Sequence, residues 1–263
     1  MNRRFLTFAC EGDTLVGTLD EAQGTTALLL VTGGNELRSG AWAGQARFAA
    51  RIAAAGHPVM RFDRRGTGDS EGQNREFRDS ARDIAAALAA LRTQCPQIRR
   101  VVGMGNCDAA SALLLADGAE CDALLLSNPW TYDSAGEDED EDAAPASDEV
   151  RRHYRQRLAD PAAIRRLLTG KVSLGGLVRS LLNALKPAPP PSSLVEDMKA
   201  GLSRFGGPVT WLVAERDRTG QAFLSAWTIA GTDLYTCPGA THSYVEPEAQ
   251  DWLVARTLEA LSA

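Results

Sequence analysis

The feature that most constrains the fold of this chain is a regular alternation of short apolar runs and amphipathic stretches that begins at Ala27. The runs "ALLLVT", "PVMRFD", "RVVGMG" and "DALLLSNP" have the length of buried strands, and helical patterns separate most of them. Parallel strands need such crossover connections, and the helices then cover both faces of the sheet. We therefore predict an α/β fold with a mostly parallel, doubly wound sheet.

This alternation is interrupted between residues 130 and 205. The interruption contains six consecutive acidic residues, 137–142, which we interpret as a solvated loop, and two amphipathic stretches. We predict a helical lid over a substrate site; the alternative is that these helices lie on a membrane surface. The predicted organisation is a core of residues 1–129 and 206–263 with a lid or cap insertion over 130–205.

The two ends of the chain extend the predicted sheet. The N-terminal stretch "MNRRFLTFACEGDTLVGTLD" predicts a pair of strands with a turn at "EGD", and it lacks the long apolar core of a signal peptide. After the interruption, "PVTWLVAERD" and "TDLYTC" predict two more strands, and "EAQDWLVARTLEALSA" predicts a closing amphipathic helix.

Composition excludes several classes of function. The net charge of −6 argues against nucleic acid as a general partner, because binding to phosphates requires a basic surface. Five scattered cysteines without a CxxC pair predict neither a disulfide framework nor a zinc site, so we expect a cytoplasmic protein. No apolar run approaches the roughly 18 residues of a membrane span. No cofactor, metal or obligate partner is indicated.

The segment "GNCDA", residues 105–109, predicts a nucleophile elbow, the sharp turn from a strand into a helix that presents a reactive side chain. Gly105 and Ala109 are small enough for the strained backbone of such a turn. Cys107 stands at its apex, where the positive end of the following helix favours a thiolate. The alternative interpretation is that Cys107 is a buried packing residue.

Two backbone N–H groups are candidates for an oxyanion hole, the pair of donors that stabilises the tetrahedral intermediate of acyl transfer. One belongs to Asp108 and the other to Asn35, in the turn "TGGN", where Gly33 and Gly34 let the backbone approach a substrate. Whether the Asp108 side chain turns into the site or toward solvent is left open. Trp130 lines an acyl pocket or marks the hinge of the lid.

The catalytic base must be a histidine, and the chain has three. His57 precedes a predicted strand and is expected in a surface turn, while His153 lies among arginines of the insertion. His242 follows the last predicted strand, at the carboxyl edge where α/β sheets gather their ligands. We therefore predict His242 as the base.

The acid that orients this base should follow the preceding strand, as it does in sites ordered nucleophile, acid, base. Asp217 lies just past the end of that strand and is our candidate, with Glu215 as the second choice. Asp233 stands at the wrong end of the sheet. The predicted catalytic set is Cys107, Asp217 and His242.

These motifs resemble those of the α/β-hydrolase superfamily. The stretch "FDRRGTGDSEG", residues 62–72, is similar to a loop that follows the fourth strand in many members and chiefly braces the turn near the active site. More narrowly, "GGNELRSG", "GNCDAAS", "SNPW" and "ERDRTGQAF" resemble the exosortase A system-associated hydrolases of type 1. Those are bacterial proteins encoded beside exosortase and exopolysaccharide machinery, and the resemblance implies a Cys-Asp-His hydrolase without naming its substrate.

Two classes of function follow. In the first, Cys107 attacks an ester, thioester or lactone to form an acyl-enzyme, which water hydrolyses; transfer to an alcohol or amine would make the protein an acyltransferase instead. Its partner would be a small-molecule acyl substrate. In the second, the protein is a catalytically quiet scaffold that binds a lipid-linked or protein partner through the lid.

Overall fold

The computed structural model of this chain describes residues 2–132, 193–229 and 233–263. Contacts divide the chain into two compact units, Met1–Tyr132 with Ser193–Ala263, and Asp133–Ser192. The acidic run and the two arginine-rich stretches predicted to be helical lie outside the described residues.

The sheet begins with the predicted hairpin. Strand β1 (Asn2–Cys10) pairs antiparallel with β2 (Asp13–Glu21) across a turn at Glu11 and Gly12. Strand β2 then pairs antiparallel with β4 (Val59–Phe62), which joins the hairpin to the rest of the sheet.

Six strands form the parallel part of the sheet, as the alternation predicts. Besides β4 they are β3 (Thr26–Val31), β5 (Arg100–Asn106), β6 (Ala123–Ser127), β7 (Val209–Ala214) and β8 (Leu234–Cys237). The full order is β1-β2-β4-β3-β5-β6-β7-β8, and every neighbouring pair from β4 onward is parallel.

Helices cover both faces, because successive strand residues point to opposite sides. On β3, Leu28 and Leu30 pack in one hydrophobic cluster and Leu29 in the other. The described helices are α1 (Gly44–Ala54), α2 (Ala81–Gln94), α3 (Asp108–Leu115), α4 (Ser193–Phe205), α5 (Arg218–Ala226) and α6 (Pro247–Ser262). Helices α1 and α6 pack on the Leu28 side, whereas α2, α3 and α4 contribute to the cluster of Leu29. None of the described helices is long and apolar enough to cross a membrane.

Helix α4 is part of the core, although sequence analysis included residues 193–205 in the insertion. Leu194, Val195 and Met198 are buried in the larger hydrophobic cluster. Gly201 lets α4 approach α3 so closely that a side chain there would collide with the backbone oxygen of Leu114. The apolar spacing of α4 fits a lid helix as well as a core helix, and only its packing on α3 distinguishes the two.

The carboxyl ends of β5, β6, β7 and β8 lie side by side at one edge of the sheet. Parallel strands direct the loops that follow them to the same edge, where open α/β sheets bind their ligands. Cys107 directly follows β5, Asp217 follows β7 and His242 follows β8. The topology therefore collects these three side chains in one place.

Candidate active site

Cys107 stands at a sharp turn between β5 and α3, in a backbone conformation that side chains rarely adopt (φ 62°, ψ −129°). Its N–H donates to the backbone oxygen of Ser127 at 3.0 Å, and its oxygen accepts from the N–H of Trp130 at 3.2 Å. A Cβ at Gly105 would lie only 2.5 Å from the backbone carbon of Ala109. The turn therefore requires a glycine at 105, and bonds to the neighbouring strand hold the thiol half-exposed.

The carboxylate of Asp217 is buried and fixed by the helix that it begins. It accepts hydrogen bonds from the N–H groups of Thr219 at 3.2 Å and Gly220 at 3.0 Å, as an N-cap residue does. Its Oδ2 atom also lies 3.0 Å from Nδ1 of His242. The carboxylate therefore orients the imidazole as well as capping α5.

His242 lies between Asp217 and the thiol of Cys107. Hydrogen bonds to Asp217 and then to Cys107 raise the pKa of His242 to about 10, although burial acts in the opposite direction. These contacts favour the protonated form of the imidazole. Its side chain stays 40% exposed, so a ligand can reach it from the edge of the sheet.

Two amides that sequence reasoning missed hold the His242 loop to the sheet. Asn106 donates from Nδ2 to the backbone oxygen of His242 at 3.2 Å and lies 3.5 Å from its Nε2. Asn128, fully buried at the end of β6, donates to Oδ1 of Asn106 at 3.0 Å and accepts from the N–H of Ala214 at 2.8 Å. This chain of bonds links β5, β6 and β7 directly behind the site.

A second buried contact fixes the same loop two residues later. The hydroxyl groups of Tyr244 and Ser127 lie 3.0 Å apart. Burial raises the pKa of Tyr244, so its hydroxyl stays protonated. The ring of Tyr244 stacks on Trp252 of α6 at 6.2 Å between centroids. Tyr244 therefore ties the turn that carries His242 to β6 and to the closing helix.

The side chain of Asp108 turns toward the loop after β3 rather than toward solvent. Both of its oxygens accept from the N–H of Gly34, at 2.7 and 2.8 Å. Arg64, which is buried, donates to the backbone oxygen of Gly34 and has a guanidinium nitrogen 3.8 Å from Oδ2 of Asp108. Burial raises the pKa of Asp108, while Arg64 and the N–H of Gly34 act in the opposite direction.

The predicted oxyanion and pocket residues lie in the loop after β3 and beside the elbow. The loop N–H that meets the elbow is that of Gly34, and the neighbouring Asn35 accepts from Nδ2 of Asn74 through its side chain at 2.5 Å. Trp130 lies beside the elbow and donates from its ring nitrogen to the backbone oxygen of Tyr132 at 3.0 Å. The roles of the Asn35 N–H and of Trp130 stay predictions.

The other candidate acids and bases lie elsewhere. Glu215 is exposed and accepts from the N–H of Gly239 at 2.6 Å. Asp233 precedes β8 and so lies at the amino end of that strand, away from the site.

The other histidines and cysteines are also outside the site. His57 precedes β4, with its Nδ1 3.1 Å from the backbone oxygen of Thr26. His153 lies outside the described residues. Cys10, Cys95, Cys121 and Cys237 are buried.

The loop of residues 62–72 braces the fold near the site. Ser70 donates to the backbone oxygen of Asp63 at 2.7 Å, and Asp63 accepts from the N–H of Arg38 at 2.7 Å. Arg65 pairs with Asp83 of α2 at 2.5 Å, with both side chains buried.

Among the described residues, no group of three or more His, Cys, Asp or Glu side chains could hold a metal ion.

Solved structures of several other proteins share this fold. The α/β hydrolase GrgF of Penicillium sp. sh18 is 19% identical, with a TM-score of 0.60 over 100% of this chain and 98% of that one. The esterase Pf2001 of Pyrococcus furiosus is 14% identical, with a TM-score of 0.62 over 99% and 90%. Est1E of Butyrivibrio proteoclasticus, solved with ferulic acid bound, is 15% identical, with a TM-score of 0.60 over 98% and 100%.

At these identities the similarity shows the fold alone. A search of curated protein sequences gave no significant match. A sequence model of the Alpha/beta hydrolase family, in contrast, matches residues 28–256, which spans β3 to α6 and the elbow between them. On the strength of that match and of the sheet topology, the chain belongs to the alpha/beta hydrolase family.

Proposed function

We propose that this protein is an acyl hydrolase in which Cys107 is the nucleophile, His242 the general acid and base, and Asp217 the residue that orients His242. The observation that carries the proposal is the contact of 3.0 Å between Asp217 and Nδ1 of an imidazole that also contacts the elbow thiol. The same order of residue types along the chain occurs in sites of this fold that transfer acyl groups.

In the resting enzyme, His242 holds Cys107 as an ion pair. The raised pKa of His242 supports this state, because Asp217 and the Cys107 sulfur both stabilise the imidazolium. Thiolate is the nucleophilic form of cysteine, so no separate deprotonation precedes attack. The half-exposed position of the elbow leaves the sulfur accessible to an acyl carbon.

Acylation follows from this arrangement. The Cys107 sulfur forms a bond to the acyl carbon, and the electron pair of the carbonyl becomes an oxyanion. As the oxyanion collapses, the bond to the leaving oxygen or sulfur breaks and the His242 imidazolium gives it a proton. The products of this step are a free alcohol or thiol and a thioester on Cys107.

Deacylation restores the enzyme. Neutral His242 accepts a proton from water, and the hydroxide that forms attacks the thioester carbon. The bond between sulfur and carbon then breaks, which releases a carboxylic acid and regenerates the ion pair. Esters, thioesters and lactones fit this sequence better than amides, because an amine leaving group requires stronger protonation.

The finer assignments form part of the same proposal. Similarity of the motifs around Gly33, Cys107 and Glu215 to the type 1 exosortase A system-associated hydrolases supports a role beside that machinery, on a small-molecule acyl substrate in the cytoplasm. The insertion enters the chain between β6 and β7, two strands whose carboxyl ends border the site. That place in the chain supports a lid function.

One observation favours a second candidate, a quiet scaffold that binds a lipid-linked or protein partner. The Asp108 carboxylate occupies the Gly34 N–H, which an oxyanion would otherwise use. A scaffold would keep its role in the Cys107→Ala variant, whereas a hydrolase would lose it. The two candidates are therefore separable by one substitution.

The deciding experiment is acyl labelling followed by intact mass spectrometry. The protein is mixed with p-nitrophenyl esters and acyl thioesters of increasing chain length, and trapped acyl-enzyme is mapped by peptide digestion. We expect a label on Cys107, slow turnover of esters by Cys107→Ser and none by Cys107→Ala. Cys237→Ala, which alters a buried thiol after β8, is the matched control and should be labelled normally.

Alkylation by iodoacetamide gives an independent measure. An ion-paired thiolate should react rapidly at pH 6.5, well below the value of about 8.5 at which a free cysteine is half ionised. Failure of every acyl donor to label Cys107, together with slow alkylation at pH 6.5, would rule the hydrolase out and leave the scaffold.

A further inference from the structure

The carboxylate of Asp108 lies in front of the loop that follows β3. The Gly34 N–H donates to both of its oxygens, and the N–H groups of Asp108 itself and Ala109 also stabilise its ionised form. In this fold, the N–H after the nucleophile and an N–H of this loop are the usual donors to an oxyanion. In the resting protein, the negative charge that these donors hold is therefore that of Asp108.

The buried side chain of Arg64 fixes the contact between Asp108 and the Gly34 loop. Arg64 follows β4, is only 5% exposed and donates to Oγ of Ser80 at 2.9 Å. A second guanidinium nitrogen contacts the backbone oxygen of Gly34 and lies 3.8 Å from Asp108. The same arginine therefore holds the loop and attracts the carboxylate that the loop binds.

The loop is also shaped to leave room for this carboxylate. A Cβ at Gly33 would lie 2.5 Å from Oδ1 of Asp108 and 3.0 Å from the backbone oxygen of Asn106. The Asp108 carboxylate therefore occupies the space that a side chain at residue 33 would need. A glycine at this position serves the contact between loop and elbow whether or not a substrate is present.

We propose that Asp108 is a specificity-determining residue whose carboxylate fills the oxyanion position of the resting enzyme and must turn away before an acyl group can react. This inference rests on the proposed function, because it presupposes an oxyanion formed at Cys107. With the Gly34 N–H, rather than the predicted Asn35 N–H, as the loop donor, two anions cannot share it, since like charges at hydrogen-bond distance repel. The substrates that react efficiently are acyl donors with an extended group whose binding energy displaces the carboxylate.

The test compares Asp108→Ala with Asp108→Asn in the full chain. The rate of acylation is taken from the burst of p-nitrophenol released by p-nitrophenyl acetate, a donor too small to displace the carboxylate. We expect Asp108→Ala to acylate at least about tenfold faster than wild type. The upper limit is roughly 100-fold, the rate effect of one oxyanion donor. Asp108→Asn, which keeps an oxygen near Gly34 but no charge, should fall between them. With a long-chain ester the gain should be smaller.

A purely structural role for Asp108 makes the opposite prediction. If the carboxylate only braces the loop, Asp108→Asn behaves as wild type and Asp108→Ala acylates more slowly. Asp79→Ala removes an exposed carboxylate of the Arg75 ion pair and serves as the charge control, with an unchanged burst expected. Thermal melting of each variant shows whether it is folded.

The outcomes separate the two levels of the proposal. A burst from wild type that Asp108→Ala does not accelerate overturns the role of Asp108 and leaves the hydrolase standing. Absence of acylation on Cys107 in wild type and in both Asp108 variants, with short and long esters alike, overturns both.

Discussion

Asn106, the residue before the elbow cysteine, donates a hydrogen bond of 3.2 Å to the backbone oxygen of His242. The strand that carries the thiol is thereby tied to the loop that carries the imidazole, although 136 positions separate them in the chain. Asn128 supports Asn106 from β6 and binds the end of β7 at the same time. The spacing of the candidate catalytic groups therefore depends on buried amides rather than on those groups alone.

Replacing Asn128 by Leu should disturb both stability and turnover. The substitution leaves the N–H of Ala214 and Oδ1 of Asn106 without their Asn128 partner, and each unpaired buried group costs about 1–3 kcal/mol. A shift of the His242 loop by about 1 Å is expected to lower kcat roughly 100-fold. Urea unfolding and steady-state kinetics measure the two effects, and a variant that loses stability with kcat intact would contradict the positioning role.

Replacing Asp217 by Asn should move the alkaline limit of activity to lower pH. The raised folded pKa of His242, about 10, keeps the imidazolium that protonates the leaving group up to that pH, and activity should fall above it. An opposite charge at contact distance raises such a pKa by about 1–3 units, so its removal should lower the limit by at least about one unit. The pH profile of kcat/KM checks this. Glu215→Gln, at the exposed rival carboxylate, should leave the limit in place.

The fold was predictable from the sequence because its signal is local and repeated. Each parallel strand is an apolar run bounded by turn residues, so the sheet and the order of its elements follow from periodicity. Helix α4 has helical apolar spacing of its own, at Leu194, Val195 and Met198, but the sequence does not show that this face packs on α3. A local apolar pattern does not show which element, distant in the sequence, packs against the apolar face of a helix.

The elbow glycine should tolerate no side chain. A Cβ at Gly105 would lie 2.5 Å from the backbone of Ala109, so Gly105→Ala is expected to cost about 2–3 kcal/mol of unfolding free energy. The matched control is Gly44→Ala at the start of α1, where φ is −60° and no atom lies within 4 Å of the new Cβ. That change should stabilise the protein by about 0.5 kcal/mol. Equal effects of the two substitutions in thermal unfolding would contradict the steric account.

The buried pair of Arg65 and Asp83 should behave differently from surface pairs. Asp83→Ala leaves the buried Arg65 guanidinium with Glu11 as its carboxylate partner and the Arg65 N–H without its acceptor, which is expected to cost about 3 kcal/mol. Combining Arg65→Met with Asp83→Leu should recover part of that loss, because it removes the buried charge although the Arg65 N–H stays unpaired. Asp79→Ala, at an exposed pair, should change the unfolding free energy by less than about 0.5 kcal/mol. A double variant as unstable as Asp83→Ala alone would show that the ion pair itself stabilises the fold.

The site was predictable only in part, for a physical reason. Cys107, Asp217 and His242 could be placed together because each follows a parallel strand, and the carboxyl ends of parallel strands meet at one edge. The roles of Asn106 and Asn128 depend on the direction of side chains that no periodicity encodes. The orientation of Asp108 depends on Arg64 and Gly34, whose approach to the elbow is a product of the completed fold.

The position of β8 as the outermost strand of the sheet has a consequence for the integrity of the site. His242 follows β8, and within the described residues β8 pairs with β7 alone. Loss of that single pairing would separate the imidazole from Asp217 and Cys107, whereas β7 and β5, the strands before those two residues, would keep their other neighbours.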